Sequence, residues 1–248
     1  MPPGTCPDGI AINDNPNYHY EYFARRCNIP MPSRPGEFDL PGVTPSRQKR
    51  SRETTAALLK AGAEMLRSHS LAELSIEALC RQVGATVGAF YSRFESKDAY
   101  FNALMALAAR DGEQRVSAMA GAAPESADLA ALCRQVVGGV ISWMRAHEGV
   151  LRAALQHDDN RPDSWSPFKA LARANTERAI PLLLPVMGKG RRAAKSRAIA
   201  FGFQVVLGTL INAILNDPGP LSLRDAELKV RLSDCLVLLL EAEMGTKS

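Results

Sequence analysis

Between Leu74 and Phe101 the chain reads LSIEALCRQVGATVGAFYSRFESKDAYF, and its apolar residues recur at helical spacing in two runs separated only by Gly84-Ala85. Few folds use two helices this short with so short a joint. Ser75 stands where it can cap the first run, and Ile76, Leu79 and Val83 then fall on one face at spacings of three and four. Gly84 comes next, where a residue without Cβ takes a left-handed conformation at little cost. Thr86 stands where it can cap the second run, and Phe90 and Phe94, four apart, share its inward face. The spacing predicts helices from Ser75 to Val83 and from Thr86 to about Phe94, which is helix-turn-helix arithmetic.

The rest of the chain keeps the helical period. From Arg52 onward Leu58, Ala61, Met65 and Leu66 recur before Ser68-His69-Ser70 breaks the run, and Ser96 opens a longer helix through Phe101, Leu104, Met105 and Leu107. Beyond Gly121, the residues Leu129, Leu132, Val136, Val140 and Trp143 line one helix face. Phe168 to Val186 reads as another helix, interrupted by Pro181 and Pro185, and Ile199, Phe203, Val206, Leu210 and Ile214 mark a third. Asp217-Pro218-Gly219-Pro220 forces a turn before a last helix carrying Leu228, Leu232, Leu236 and Leu239. No alternating strand pattern of useful length occurs, so the expected class is all-α.

Composition bounds the function. With 248 residues, 46% of them apolar, two compact units fit better than one. Eight of the 16 prolines fall within residues 1–44, so residues 1–45 are expected to be an irregular extension outside both cores. Met31 opens a shorter chain that keeps every motif named here. The aromatic cluster Tyr18, Tyr20, Tyr22 and Phe23 in this extension could form a docking patch, although an isolated aromatic cluster in a Pro-rich tail more often does nothing specific. Net charge is +4, mildly favourable for a polyanion partner, and Arg47, Lys49, Arg50 and Arg52 form a basic arm free of acids ahead of the first helix, suited to gripping phosphates. Five scattered cysteines in no C-x-x-C spacing suggest reduced thiols in a cytoplasmic protein. No uninterrupted run reaches the roughly 18 apolar residues of a spanning helix, and no signal peptide is evident, so no membrane association is expected. Common catalytic and phosphate-binding motifs are absent, which points away from an enzyme. His147 and His157 stand ten apart across an expected helix boundary, so they and Asp158 and Asp159 are a poor metal set; neither a metal nor a cofactor is expected.

The second short helix carries the chemistry. With Phe90 and Phe94 inward, Val87, Ala89, Tyr91 and Arg93 lie on its other sides. Val87 and Ala89 can meet thymine methyl groups, while Tyr91, Arg93 and Lys97 carry donors suited to phosphates. Gly88 keeps the helix surface flat. Singly, each residue is as well explained as ordinary surface or packing.

Together, Val83-Gly84-Ala85-Thr86-Val87-Gly88-Ala89-Phe90-Tyr91-Ser92-Arg93-Phe94-Glu95-Ser96-Lys97-Asp98 resembles the TetR (tetracycline-repressor-like) family, over about residues 50–105. The resemblance implies a homodimer that binds double-stranded DNA at a palindromic operator, with Thr86, Val87 and Ala89 at the DNA face and Tyr91 and Lys97 on phosphates. Arg93 stands where the family often has histidine, and Phe90 where an aliphatic residue is more usual. The implied division is an extension over 1–45, a helix-turn-helix DNA-binding domain over 46–100, and a helical effector-binding and dimerisation domain over 101–244.

Members of that family typically sense a small molecule with the second domain and leave DNA when it binds, repression being the usual mode. Trp143, Met144, His147, Trp165 and Phe168 are the candidates for lining a mostly apolar effector pocket, with core packing as the competing explanation. The last two helices are the candidate dimer interface. Phe201, Val205, Gly208 and Asn212 give the first of them a second face beside the one from Ile199 to Ile214, and Gly202 and Gly208 permit close helix approach.

Overall fold

The computed structural model describes residues 40, 41, 43, 44, 49–121, 127–156 and 166–245. Among the described residues the chain forms nine α-helices and no strand beyond an isolated antiparallel bridge between Val43 and Phe94. They divide into two compact units: the residues up to Met65 with Ala72–Ala103, and Leu66–Leu71 with the residues from Leu104 onward.

The first unit holds α1 (Lys49–Met65), α2 (Ile76–Gln82), α3 (Val87–Tyr91) and the first turns of α4 (Lys97–Gly121). Helix α1 begins three residues before the apolar period does, at the basic arm itself. Phe90, Phe94 and Tyr100 form an aromatic core with ring centroids 4.9–5.2 Å apart, packed with fully buried Leu58, Leu59 and Leu79. Tyr100 Oη donates to the carbonyl of Leu58 at 2.6 Å, which satisfies the one polar atom this ring takes inside. The approach requires glycine at position 62, where a Cβ would lie 1.7 Å from that oxygen. Leu40 and Val43 are also buried, so the end of the Pro-rich extension enters the core that residues 1–45 were expected to avoid. Backbone pairing explains this, since the Thr44 N–H donates to the Arg93 carbonyl at 2.8 Å.

The second unit contains the remainder of α4, then α5 (Leu129–Ala146), α6 (Glu148–Gln156), α7 (Ser166–Leu183) with a 3-10 turn at Leu184–Val186, α8 (Arg192–Leu215) and α9 (Ala226–Gly245). Asp128 caps α5 by accepting from the Ala131 N–H at 2.7 Å, and the inward face of α5 buries Leu132, Val136, Val137 and Ile141. Helix α6 has no sequence signal of its own, because no glycine or proline separates it from α5; His147 alone breaks the path. Arg152 of α6 donates to the carbonyls of Leu66 and Arg67, at 3.1 and 2.7 Å, and fixes that segment. Pro181 is accommodated near the end of α7, where the turn containing Pro185 follows.

By mean hydropathy, 2.0 over an 18-residue window, α8 is long and apolar enough to cross a membrane, which corrects the count of uninterrupted apolar residues. Gln204, Thr209 and Asn212 interrupt the run without lowering the mean far. Only 39% of that window is buried. Ile199, Phe203, Val206 and Leu210 pack inward, while Phe201, Gly208 and Asn212 are exposed and Val205 is half-buried. Gly202 serves the contact between α8 and α9, since a Cβ there would sit 2.4 Å from Leu236 Cδ1, whereas Gly208 faces open space. In α9 the buried residue of the run Leu238-Leu239-Leu240 is Leu240, one position past the periodic choice.

Candidate nucleic-acid interface

Helices α2 and α3 are set by local hydrogen bonds at each end. Ser75 Oγ accepts from the Ala78 N–H at 3.2 Å and Thr86 Oγ1 from the Ala89 N–H at 3.0 Å, so both expected caps are present. Between them Gly84 has φ +66°, and the Ala85 N–H turns back to the Cys80 carbonyl at 2.9 Å. Ser96 caps α4 through the Ala99 N–H at 3.0 Å. With Phe90 fully buried, α3 cannot roll, and Thr86, Val87, Gly88 and Tyr91 are exposed while Ala89 is half-buried. The exposed face is small and flat at Val87 and Gly88 and ends in the Tyr91 hydroxyl, so the backbone of a groove-bound polymer can come close to it.

The cations around this face divide into two kinds. Lys49 and Arg50 are exposed, Lys49 making only a 3.9 Å pair with Glu53, and Arg52 is half-buried. Arg47 lies outside the described residues. By contrast, Lys97 donates to the Ala72 carbonyl at 3.1 Å. Arg93 is engaged more fully: Nε donates to the Ser51 carbonyl at 3.4 Å, one terminal nitrogen to Ser51 Oγ at 3.2 Å, and the other to the Ala89 carbonyl and to Ser92 Oγ. Since the Arg93 carbonyl also receives the Thr44 N–H, this one residue holds the basic segment at Thr44 and at Ser51. Its guanidinium therefore positions the arm and the end of α3. Ser51 was not singled out in the sequence, and no local signal marks it, because its partner is 42 residues away.

In the second unit Trp143, Met144 and Phe168 are buried. The Trp143 ring meets Phe168 edge-on, centroids 5.9 Å apart, and its Nε1–H donates to the Ala108 carbonyl at 3.0 Å. His147 lies 5.5 Å from Trp143, centroid to centroid, and donates from Nε2 to Asp111 Oδ2 at 2.8 Å; Arg115 Nε donates to the same oxygen at 2.7 Å. Burial raises the Asp111 carboxyl, but these two hydrogen bonds and charges outweigh it and hold the group below its ordinary range. A cavity of about 50 Å³ is lined by Trp143 together with Val136, Val140, Phe203, Arg115 and Arg178, among others. Of the five expected pocket residues, the cavity touches Trp143; Met144, His147 and Phe168 lie outside its lining, and Trp165, like His157, Asp158 and Asp159, lies outside the described residues. Burial pushes the Cys133 thiol up to about 12 and raises Cys80 as well, so both are poor thiolate sources at neutral pH.

Residues 58–104 match the family model described as bacterial regulatory proteins, tetR family. The N-terminal module is of the TetR family. The matched span runs from α1 into α4 and contains both capped helices and the Gly84 turn. The TetR-like fold extends further along the chain. A TetR-family transcriptional regulator from Streptomyces coelicolor superposes with a TM-score of 0.58 at 17% identity, covering 77% of this chain and 82% of that one. A transcriptional regulator from Cytophaga hutchinsonii gives 0.54 at 13% identity, covering 75% and 94%, and AmtR of Mycobacterium smegmatis gives 0.50 at 20% identity, covering 83% and 91%. At these identities the likeness is one of fold. A comparison of the sequence with curated proteins finds no match.

Proposed function

We propose that this chain is a sequence-specific transcriptional regulator that binds a palindromic operator as a homodimer and is released from it, as a repressor, by a small-molecule effector. The observation that carries the reading is the exposed, flat face of α3 held by a buried aromatic pair inside a TetR-family module. In this reading Thr86, Val87 and Ala89 meet base edges, Gly88 permits close approach, and Tyr91 and Lys97 contact phosphates. Arg47, Lys49, Arg50 and Arg52 add a basic arm along the backbone. Arg93 is the exception: its bonds to Ser51 and Ala89 favour a positioning role over a phosphate contact.

The exposed apolar face of α8, with Phe201 at 55% exposure, and Leu238 of α9, at 66%, support the dimer, because a helix apolar on two faces is normally buried by a partner. A second copy covering α8 accounts for its hydropathy without a membrane and fits a cytoplasmic protein. The effector reading rests on the cavity beside Trp143. No catalytic step belongs to this function.

The deciding experiment is a selection of genomic fragments with the purified protein at moderate salt. One recovered palindrome supports the reading; diffuse, salt-sensitive recovery at every ligand condition reduces it to a non-specific helical DNA-binding protein.

A further inference from the structure

We propose that the cavity of the second unit takes a compact carboxylate with a short apolar body. The inference rests on the effector reading above and adds the ligand's chemical class. The inner wall is apolar and deep: Val136, Trp143, Ala179 and Phe203 are all buried. The outer part carries the only formal charges of the lining, and both are guanidiniums, half-buried Arg115 and exposed Arg178. Burial thus orders the lining from apolar at depth to cationic at the solvent side, with Asn175 as an additional polar group. A ligand that fills such a site places its hydrocarbon inward and an anion outward.

The arginines are held in place by bonds that leave donors for a ligand. Arg178 is positioned over α4, donating from one terminal nitrogen to the Glu113 carbonyl at 3.3 Å and to Ser117 Oγ at 3.1 Å. Arg115 is held through Nε by Asp111. A guanidinium has five N–H donors in a planar fork, so after these bonds Arg115 retains both terminal groups and Arg178 its Nε and its other terminal group, each a donor pair that matches a carboxylate. Asp111 is the one carboxylate bonded to either arginine among the described residues, and it is shared with His147. The site therefore keeps positive charge in excess. The volume limits the body of the ligand: about 50 Å³ corresponds to roughly four water positions of ~10–15 Å³ each, enough for a short alkyl chain and too little for a large polycyclic compound.

The test uses the full-length protein and carboxylates with about three to five carbons, straight and branched, each beside its primary amide. Binding is read by tryptophan fluorescence, Trp143 lining the cavity, and by thermal shift. The expected result is at least one carboxylate that binds tenfold or more tightly than its amide, with Arg178→Gln raising its Kd tenfold and Arg178→Lys recovering part of the loss. Arg178 is exposed, so this variant folds as the parent does, which a melting curve checks. Equal binding of carboxylate and amide, or no carboxylate binding at all, overturns the proposal. Release of the operator by a neutral compound overturns the ligand class while supporting the effector reading; carboxylate binding without any effect on operator occupancy supports the site and counts against that reading.

Discussion

The guanidinium of Arg93 and the backbone and side chain of Ser51 are joined by two hydrogen bonds, at 3.4 Å to the carbonyl and 3.2 Å to Oγ, between the end of the α3 region and the first turn of α1. Arg93→Ala is expected to lower stability by about 1 kcal/mol, the usual scale for a charged bond that is partly open to water. It is also expected to weaken operator binding, because the basic arm loses its anchor. Arg93→Lys should recover little, since an ammonium cannot serve Ser51 and Ala89 together. A double-mutant cycle with Ser51→Ala, read by denaturation, measures the bond to Oγ, the bond to the carbonyl being kept in that variant; strict additivity would remove the side-chain half of the clamp.

Lys97 separates a phosphate role from a structural one. Its Nζ donates to the Ala72 carbonyl. Lys97→Ala is expected to weaken binding to all DNA sequences alike and to lower the slope of log K against log salt by about one. A reduced melting temperature with an unchanged salt slope would assign Lys97 to the fold alone.

Gly62 is under a harder constraint than any residue of the exposed face of α3. A Cβ at this position meets Tyr100 Oη at 1.7 Å, and Tyr100 is held in a fully buried aromatic cluster. Gly62→Ala is expected to cost about 3 kcal/mol of stability by overpacking. Adding Tyr100→Phe removes the nearest atom of the clash, so the double variant should be less destabilised than the two single losses combined; calorimetric melting of the four proteins decides it.

The Asp111 carboxyl is held below its ordinary value of 3.8, burial opposing and the bonds from His147 and Arg115 prevailing. A carboxylate whose folded pKa is depressed binds protons more readily when unfolded, so its contribution is present above pH 3.8 and is lost as pH falls through the lower folded value. The melting temperature of wild type should therefore exceed that of Asp111→Asn by a constant margin near neutrality, and the margin should shrink in acid below that point. A margin that persists unchanged into strong acid would contradict the assignment.

Phe201→Glu and Leu238→Glu place a charge on the exposed apolar faces of α8 and α9. Each is expected to turn a dimer at micromolar concentration into a monomer with the same helical content, because an unpaired charge in a buried interface costs several kcal/mol. Sedimentation velocity with circular dichroism reads both quantities.

What the sequence discloses follows the range of the interaction. Ser75, Gly84, Thr86 and Ser96 act on backbone groups within four residues of themselves, and so the helix-turn-helix was legible from their order. Helix α6 was not, because α5 ends at His147 without a breaking residue and the second helix starts at once. The run Leu238-Leu239-Leu240 offers three equally apolar phases, and only packing chooses Leu240. The Arg93–Ser51 bond and the placing of Arg178 over α4 join residues distant in the chain, and neither has a pattern to betray it. The pair Asp111 and Arg115, four apart on a helix, is of the short-range kind that spacing alone discloses.

The bridge between Val43 and Phe94 also sets a rule for making shortened versions of this protein. A trimmed gene that starts at Met31 retains Leu40, Val43 and Thr44, whereas one cut after residue 45 strips two apolar side chains from the first unit and leaves the Arg93 carbonyl without its backbone partner. Expression vectors and purification tags should join the chain ahead of Leu40, where the added sequence leaves that pairing intact.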